Sequence, residues 1–249
     1  MILRRITQHV KDQNWFAVGI DFFIVVIGVF IGIQVANWNE GRASKLDYLQ
    51  ALDRAEAEIS ENIAFIDSEA KAIGSSLTIA RAGFDALLSC SEEADAVQKI
   101  NAAMVEIRGT RSVQTRAAAV IELTTNPALL SEQSERVRKR FYDLRFYQEL
   151  ASTTSDRFEP VTFMVWPADL STLAIQPAER FRTQWLGIDY EVPRYALALG
   201  VSIEEACTDN GLLKWFHSWE SWQTSVLVLN EKLRFEYQET LTLLQALKS

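Results

Sequence analysis

A run of 21 residues from Phe16 to Ala36 carries a single charge, Asp21, and constrains this chain more than any other feature of it. At about 1.5 Å of rise per residue, a helix of that length covers roughly 30 Å, the thickness of the hydrocarbon layer of a bilayer. Its centre, from Phe22 to Ile33, is twelve consecutive apolar or glycine residues. Core helices of water-soluble domains keep a polar face and rarely stay apolar all round for so long. Trp15 and Trp38 bracket the run, at the depth where amphipathic rings favour the membrane interface, and are expected to act as interfacial anchors. The run exceeds the apolar region of most cleaved signal peptides, and Gln34 ahead of Ala36 makes a poor small-x-small cleavage site. The expectation is an uncleaved anchor: a short cytoplasmic tail over 1–15, a transmembrane helix over 16–36 and the lipid bilayer as first partner.

Arg4, Arg5, Lys11 and the amino terminus favour keeping the tail in the cytoplasm. Arg42, Lys45 and Arg54 nearly balance them on the other side, and acidic residues weigh little in this rule. The count therefore tips only slightly towards N-terminus in and body out.

One side of the apolar helix is specialised. At about 100° per residue, Ala17, Asp21, Gly28, Gly32 and Val35 fall within about 40° of one line. Gly28 and Gly32 form a small-xxx-small pair, which lets a second helix approach closely. An ionisable residue inside a span is costly and faces protein or water in most cases, so Asp21 points to a helix–helix contact. The bland alternative is that Asp21 reaches the headgroups and the glycines are incidental.

Beyond the anchor the pattern is helical. Leu46, Leu49, Leu52, Ile59, Ile63 and Ile66 recur at spacings of three, four and seven, which predicts a stalk over 37–72. Shorter helices are expected at about 75–89 and 92–108, and a stronger one runs from Glu132 and Glu135 through Val137, Phe141, Leu144, Phe146 and Leu150. Residues 159–210 hold four of the five prolines, Pro160, Pro167, Pro177 and Pro193. They read as loops with one or two short helices. A long final helix over about 211–247 aligns Trp215, Trp219, Trp222, Val226, Leu229 and Leu233. With no strand alternation of useful length recognised, the class is all-α: one N-terminal transmembrane helix, then an antiparallel, bundle-like extracytoplasmic domain over 73–249.

The chain carries a net charge of −8, and residues 45–249 hold 21 Lys/Arg against 30 Asp/Glu. An acidic body disfavours nucleic acid as a partner. Cys90 and Cys207 belong to no CxxC pair. They are two separate thiols or, in an exported domain, one long-range disulfide.

The segment Gly19-Ile-Asp21, Ile24-Val-Val-Ile-Gly28 and Gln34-Val-Ala-Asn37-Trp38-Asn39-Glu40 resembles the signature of an uncharacterised bacterial family of single-pass membrane proteins. Its pattern is a Gly-Glu pair, an apolar VVIG-type stretch and a Q-x-x-N-W-N-E ending. A second stretch is similar to the family's body: Ile121-Glu-Leu, then Asn126, Leu129, Leu130 and Arg136 ahead of Phe141-Tyr142. Together they touch about a quarter of the chain. The resemblance implies an inner-membrane protein with a periplasmic helical body and implies no activity. Asp21 stands where relatives carry Glu, and Pro127 departs from the Gly or Leu of the pattern.

Catalytic constellations are missing from the sequence. There is no nucleophile elbow, P-loop, GxGxxG or HExxH, and the chain has two histidines, His9 and His217. His217 and Glu220 alone do not make a metal site. The tryptophan line is either core or the wall of an apolar cleft. The basic run at Arg136, Arg138, Lys139 and Arg140 is either an exposed helix face or an anion site. Glu92-Glu93 and Glu204-Glu205 read as helix starts, since adjacent side chains on a helix point apart. The reading is a non-enzymatic, membrane-anchored interaction or sensing module without cofactor, assembling as a homo-oligomer or with a membrane protein. The alternatives are an accessory subunit of a larger membrane complex and, behind it, a tethered ligand-binding protein or enzyme.

Overall fold

The computed structural model describes residues 15–112, 114–162, 170–185 and 188–248. The elements in chain order are α1 (Trp15–Leu88), α2 (Ala96–Glu106), α3 (Ala118–Thr125), α4 (Pro127–Ser131), α5 (Glu135–Thr162), β1 (Leu173–Ile175), β2 (Glu179–Trp185), β3 (Ile188–Arg194), β4 (Leu197–Leu199), α6 (Ile203–Ala206) and α7 (Asn210–Lys248). The protein is all-α in class, with a long apolar N-terminal helix leading into a helical domain.

The spine is α1. It runs unbroken for 74 residues, a rod of roughly 110 Å. The expected stalk and the helix expected at 75–89 are one element, because Gly74 lies within the helix and does not end it. From Leu52 onward the rod has a seven-residue seam: Leu52, Ile59, Ile66, Ile73, Ala80 and Leu87 are all buried. A strict seven-residue repeat keeps one stripe of a helix against its neighbours over a long distance. Leu46 and Leu49, read from sequence as part of that stripe, are 52% and 37% exposed, so the buried seam begins at Tyr48 and Leu52.

The rod ends in a Schellman turn, in which the amide of Ser91 donates to Ala86 O at 3.0 Å and that of Cys90 to Leu87 O at 3.2 Å. Cys90 occupies the left-handed position of this turn, at φ 46°, where glycine is usual. The cost of that conformation, about 1 kcal/mol, is borne by the surrounding structure. Cys90 is bonded to Cys207, with 5.4 Å between Cα atoms. The two cysteines are thus one long-range disulfide, fastening the end of α1 to the turn before α7.

Helix α7 returns antiparallel along α1. Arg81 bonds Glu220 and Arg234 bonds Asp67, while Lys248 reaches Asp53 and Glu56. Its buried line is Trp215, Trp219, Trp222, Val226, Asn230, Leu233, Tyr237, Thr240 and Leu244. The sequence line strayed at Leu229, which is only partly buried; Asn230 takes the seam position. Near the far end of the rod α2 completes the packing, and a Cβ added at Gly83 would sit 2.4 Å from the Ala103 Cβ. Nearer the apolar end, α3 and α5 close the bundle, with Arg54 bonded to Glu122 at 2.8 Å and Arg140 to Glu236 at 2.7 Å.

The proline-rich region departs from its reading as loops and short helices. It forms two antiparallel two-stranded ribbons, β1–β4 and β2–β3, besides the short helix α6. Pro193 pairs with Arg180 in β2–β3. A proline is tolerated there because every strand of a two-stranded ribbon is an edge.

Candidate functional site

The first candidate is the apolar end of α1. The segment is helical from Trp15 onward and is long and apolar enough to cross a membrane. The described apolar side chains from Phe22 to Val35 are all exposed, Phe22 and Phe23 at 67%. A Cβ added at Gly28 or Gly32 would meet nothing within 4 Å. No described part of the chain covers this face, so a second helix would find it free. Trp15 and Asp21 are placed on the helix by their backbones, and their side chains lie outside the described residues, as does the tail over 1–14. Trp38 is 65% exposed. The Arg42 guanidinium stands 5.9 Å from its ring centroid, a cation–π contact.

The second candidate was the tryptophan line of α7. Trp215, Trp219 and Trp222 are 1%, 2% and 7% exposed and sit in the hydrophobic core. Phe84 stacks on Phe216 at 5.7 Å between centroids. The Trp219 indole N–H donates to Gly109 O at 2.6 Å. These rings are buried in the bundle core and anchor a backbone segment.

That backbone segment, the strap joining α2 to α3, is held at several points. Gln223 Nε2 donates to Arg111 O at 3.4 Å. Lower down, Asn62 Nδ2 donates to Arg116 O at 2.8 Å and to the Tyr237 hydroxyl at 3.1 Å, while its Oδ1 accepts from the Arg116 amide at 3.0 Å. Gln148 Nε2 donates to the same two oxygens, at 3.1 and 2.7 Å. Burial, opposed by hydrogen bonds with Thr115, Gln148 and Asn62, pushes the Tyr237 phenol up to about 12. The Glu58 carboxylate accepts from the Ala119 amide at 3.0 Å and so caps α3 from another helix. Composition gave no hint of this network, because its members are lone polar residues on otherwise apolar seams. The one available signal was polar residues at seam positions, Asn62 in α1 and Gln223 in α7.

The basic run resolves into separate contacts. Arg138 donates to Leu130 O at 2.6 Å, Lys139 pairs with Asp143 at 2.6 Å, and Arg140 pairs with the buried Glu236. Arg136, Lys139 and Arg140 line a shallow groove together with Asp143, Glu239 and Leu243. The cations are largely matched by acids, so the groove has no strong bias towards anions. His217 is exposed, and no group of three His, Cys, Asp or Glu suited to a metal ion occurs among the described residues.

No family model matches this chain, and neither does any curated protein or solved structure.

Proposed function

We propose that this chain is a membrane-anchored interaction or sensing module of a bacterial inner membrane. Its tail over 1–15 is cytoplasmic, α1 crosses the bilayer once over 16–36, and the helical body lies in the periplasm. The face of Asp21, Gly28 and Gly32 docks a second transmembrane helix, and a second copy of the chain is the favoured occupant. A different membrane protein in that place would make the chain an accessory subunit of a larger complex.

The observation that carries this reading is the continuity of α1. One unbroken helix holds an uncovered apolar surface over 22–35 and a buried seam over 48–87. A rotation or association of the apolar part therefore passes directly into the packing of α2, α3 and α7, with no flexible joint to absorb it. The Cys90–Cys207 disulfide supports a body in an oxidising compartment. The filled core around Trp215 and Trp219 argues against the tethered ligand-binding reading.

A membrane two-hybrid assay with the full chain tests the docking face. Asp21→Leu, and separately Gly28→Ile with Gly32→Ile, are expected to lower the association signal by about tenfold, an interhelical contact being worth roughly 1–2 kcal/mol. Crosslinking in native membranes then separates the occupants, because a homodimer gives twice the chain mass and a heteromer does not. A signal unchanged in both variants would remove the docking face.

A further inference from the structure

The stretch of α1 between the apolar segment and the body divides its charges by face. At about 100° per residue, Trp38, Arg42 and Lys45 lie within about 60° of one another. Glu40 and Asp47 lie close to the opposite side of the helix. Arg42 has its cation–π contact with Trp38, and Lys45 has no salt-bridge partner among the described residues. All five side chains are exposed, and the buried seam of the bundle starts above them at Tyr48. Two cations and an indole thus stand on one side of a bare helix, directly above an apolar cylinder.

We propose that Trp38, Arg42 and Lys45 form a contact for anionic phospholipid headgroups that sets the direction in which α1 tilts. This rests on the single-pass reading above. Continuity with the apolar segment and charge complementarity both select the lipid surface as the occupant. Along the axis Arg42 stands about 9 Å and Lys45 about 14 Å beyond Ala36. The headgroup layer is only about 5–8 Å deep. In an upright helix Lys45 would therefore sit in water. Membrane helices tilt by about 20° on average and up to about 40°. Leaning towards the Arg42 side lowers both cations, and their long aliphatic stems reach down to the phosphates. The same lean lifts Glu40 and Asp47 away from a negative surface. Each base near such a surface favours the leaning orientation by about fivefold. Since α1 is rigid into the body, one tilt direction fixes which side of the bundle faces the membrane.

The test uses the full chain in bilayer discs of phosphatidylcholine, alone or with about a third phosphatidylglycerol. Both native cysteines are in the disulfide, so Leu49→Cys or Asp47→Cys supplies one labelling site each. Leu49 is on the Arg42 side, and Asp47 is opposite at nearly the same height. With anionic lipid, a fluorophore at 49 is expected to be quenched by headgroup-attached nitroxide at least about threefold more than one at 47. Arg42→Gln with Lys45→Gln, or phosphatidylcholine alone, is expected to bring the two sites together. Equal quenching at 47 and 49 in the anionic discs, or an excess at 49 that survives without anionic lipid, would overturn the proposal. A chain that fails to enter the discs would instead overturn the single-pass reading beneath it.

Discussion

Tyr237 shows how much of this body depends on single polar side chains. Its hydroxyl receives Asn62 from α1 and Gln148 from α5, and both amides also hold the strap at Arg116. Tyr237→Phe leaves those amides with one acceptor fewer in a buried place and is expected to cost about 1–2 kcal/mol, measurable as a lower urea midpoint at unchanged slope. The phenol also predicts a pH effect. Its folded pKa, about 12, lies above the ordinary value of 10. Between those pH values the unfolded chain loses the proton and the folded chain keeps it. Stability is therefore fully present below pH 10 and falls as pH rises, by about 1.4 kcal/mol per unit from this group. Urea midpoints taken across that range should fall less steeply for Tyr237→Phe than for the native chain. Gly83 is the opposite kind of dependence, a missing side chain. Gly83→Ala drives a methyl group against Ala103 and Lys99 O. It is expected to cost about 1–3 kcal/mol by overpacking, whereas Gly74→Ala, with nothing within 4 Å of the new atom, is expected to be neutral or stabilising.

At the scale of elements, the helices were legible because their apolar residues repeat. The α7 line was readable from Trp215 to Leu233, and the 135–150 pattern foretold α5. What the repeat could not show was that α1 is one rod. Gly74 looked like a boundary, but a lone glycine in a helix costs only about 1 kcal/mol relative to alanine, and packing on both sides outweighs that. The ribbon β2–β3 was missed although its signal was present. Phe181, Thr183 and Trp185, then Ile188, Tyr190 and Val192, alternate with polar residues on either side of Gly187. Four prolines in the region argue for loops, since proline is excluded from all but edge strands. The disulfide was undecidable from spacing, because Cys90 and Cys207 are brought together only by the antiparallel return of α7. It closes a loop across a sequence separation of 117, and its removal is expected to cost about 4–5 kcal/mol. A Cys90→Ser, Cys207→Ser chain should show that loss as a lower thermal midpoint, while keeping its helix content below the transition.

For the molecule as a whole, the apolar end and the body are two surfaces of the same helix, one bare and one covered. The candidate docking residues come from spacing alone, because the faces of a regular apolar helix follow from its repeat. Asp21, Gly28 and Gly32 are named by the sequence, and a Cβ added at Gly28 or Gly32 would meet nothing within 4 Å. The partner that would cover them is not written in the chain, since a small-residue face fits any helix able to approach it. The charge division at Trp38, Arg42 and Lys45 is not visible in a Lys/Arg count, which weighs Arg42 and Lys45 for orientation without regard to the helix face they share.

The central claim is that α1 carries the body across a bilayer, and the most direct measurement is a paired reporter after Ser249. A phosphatase fused there is expected to be active and a fluorescent protein in the same position dark, with the chain recovered in the membrane fraction after alkaline extraction. A dark phosphatase with a bright fluorescent protein would place the body in the cytoplasm and contradict the account, and release of the chain by alkali would contradict the span itself.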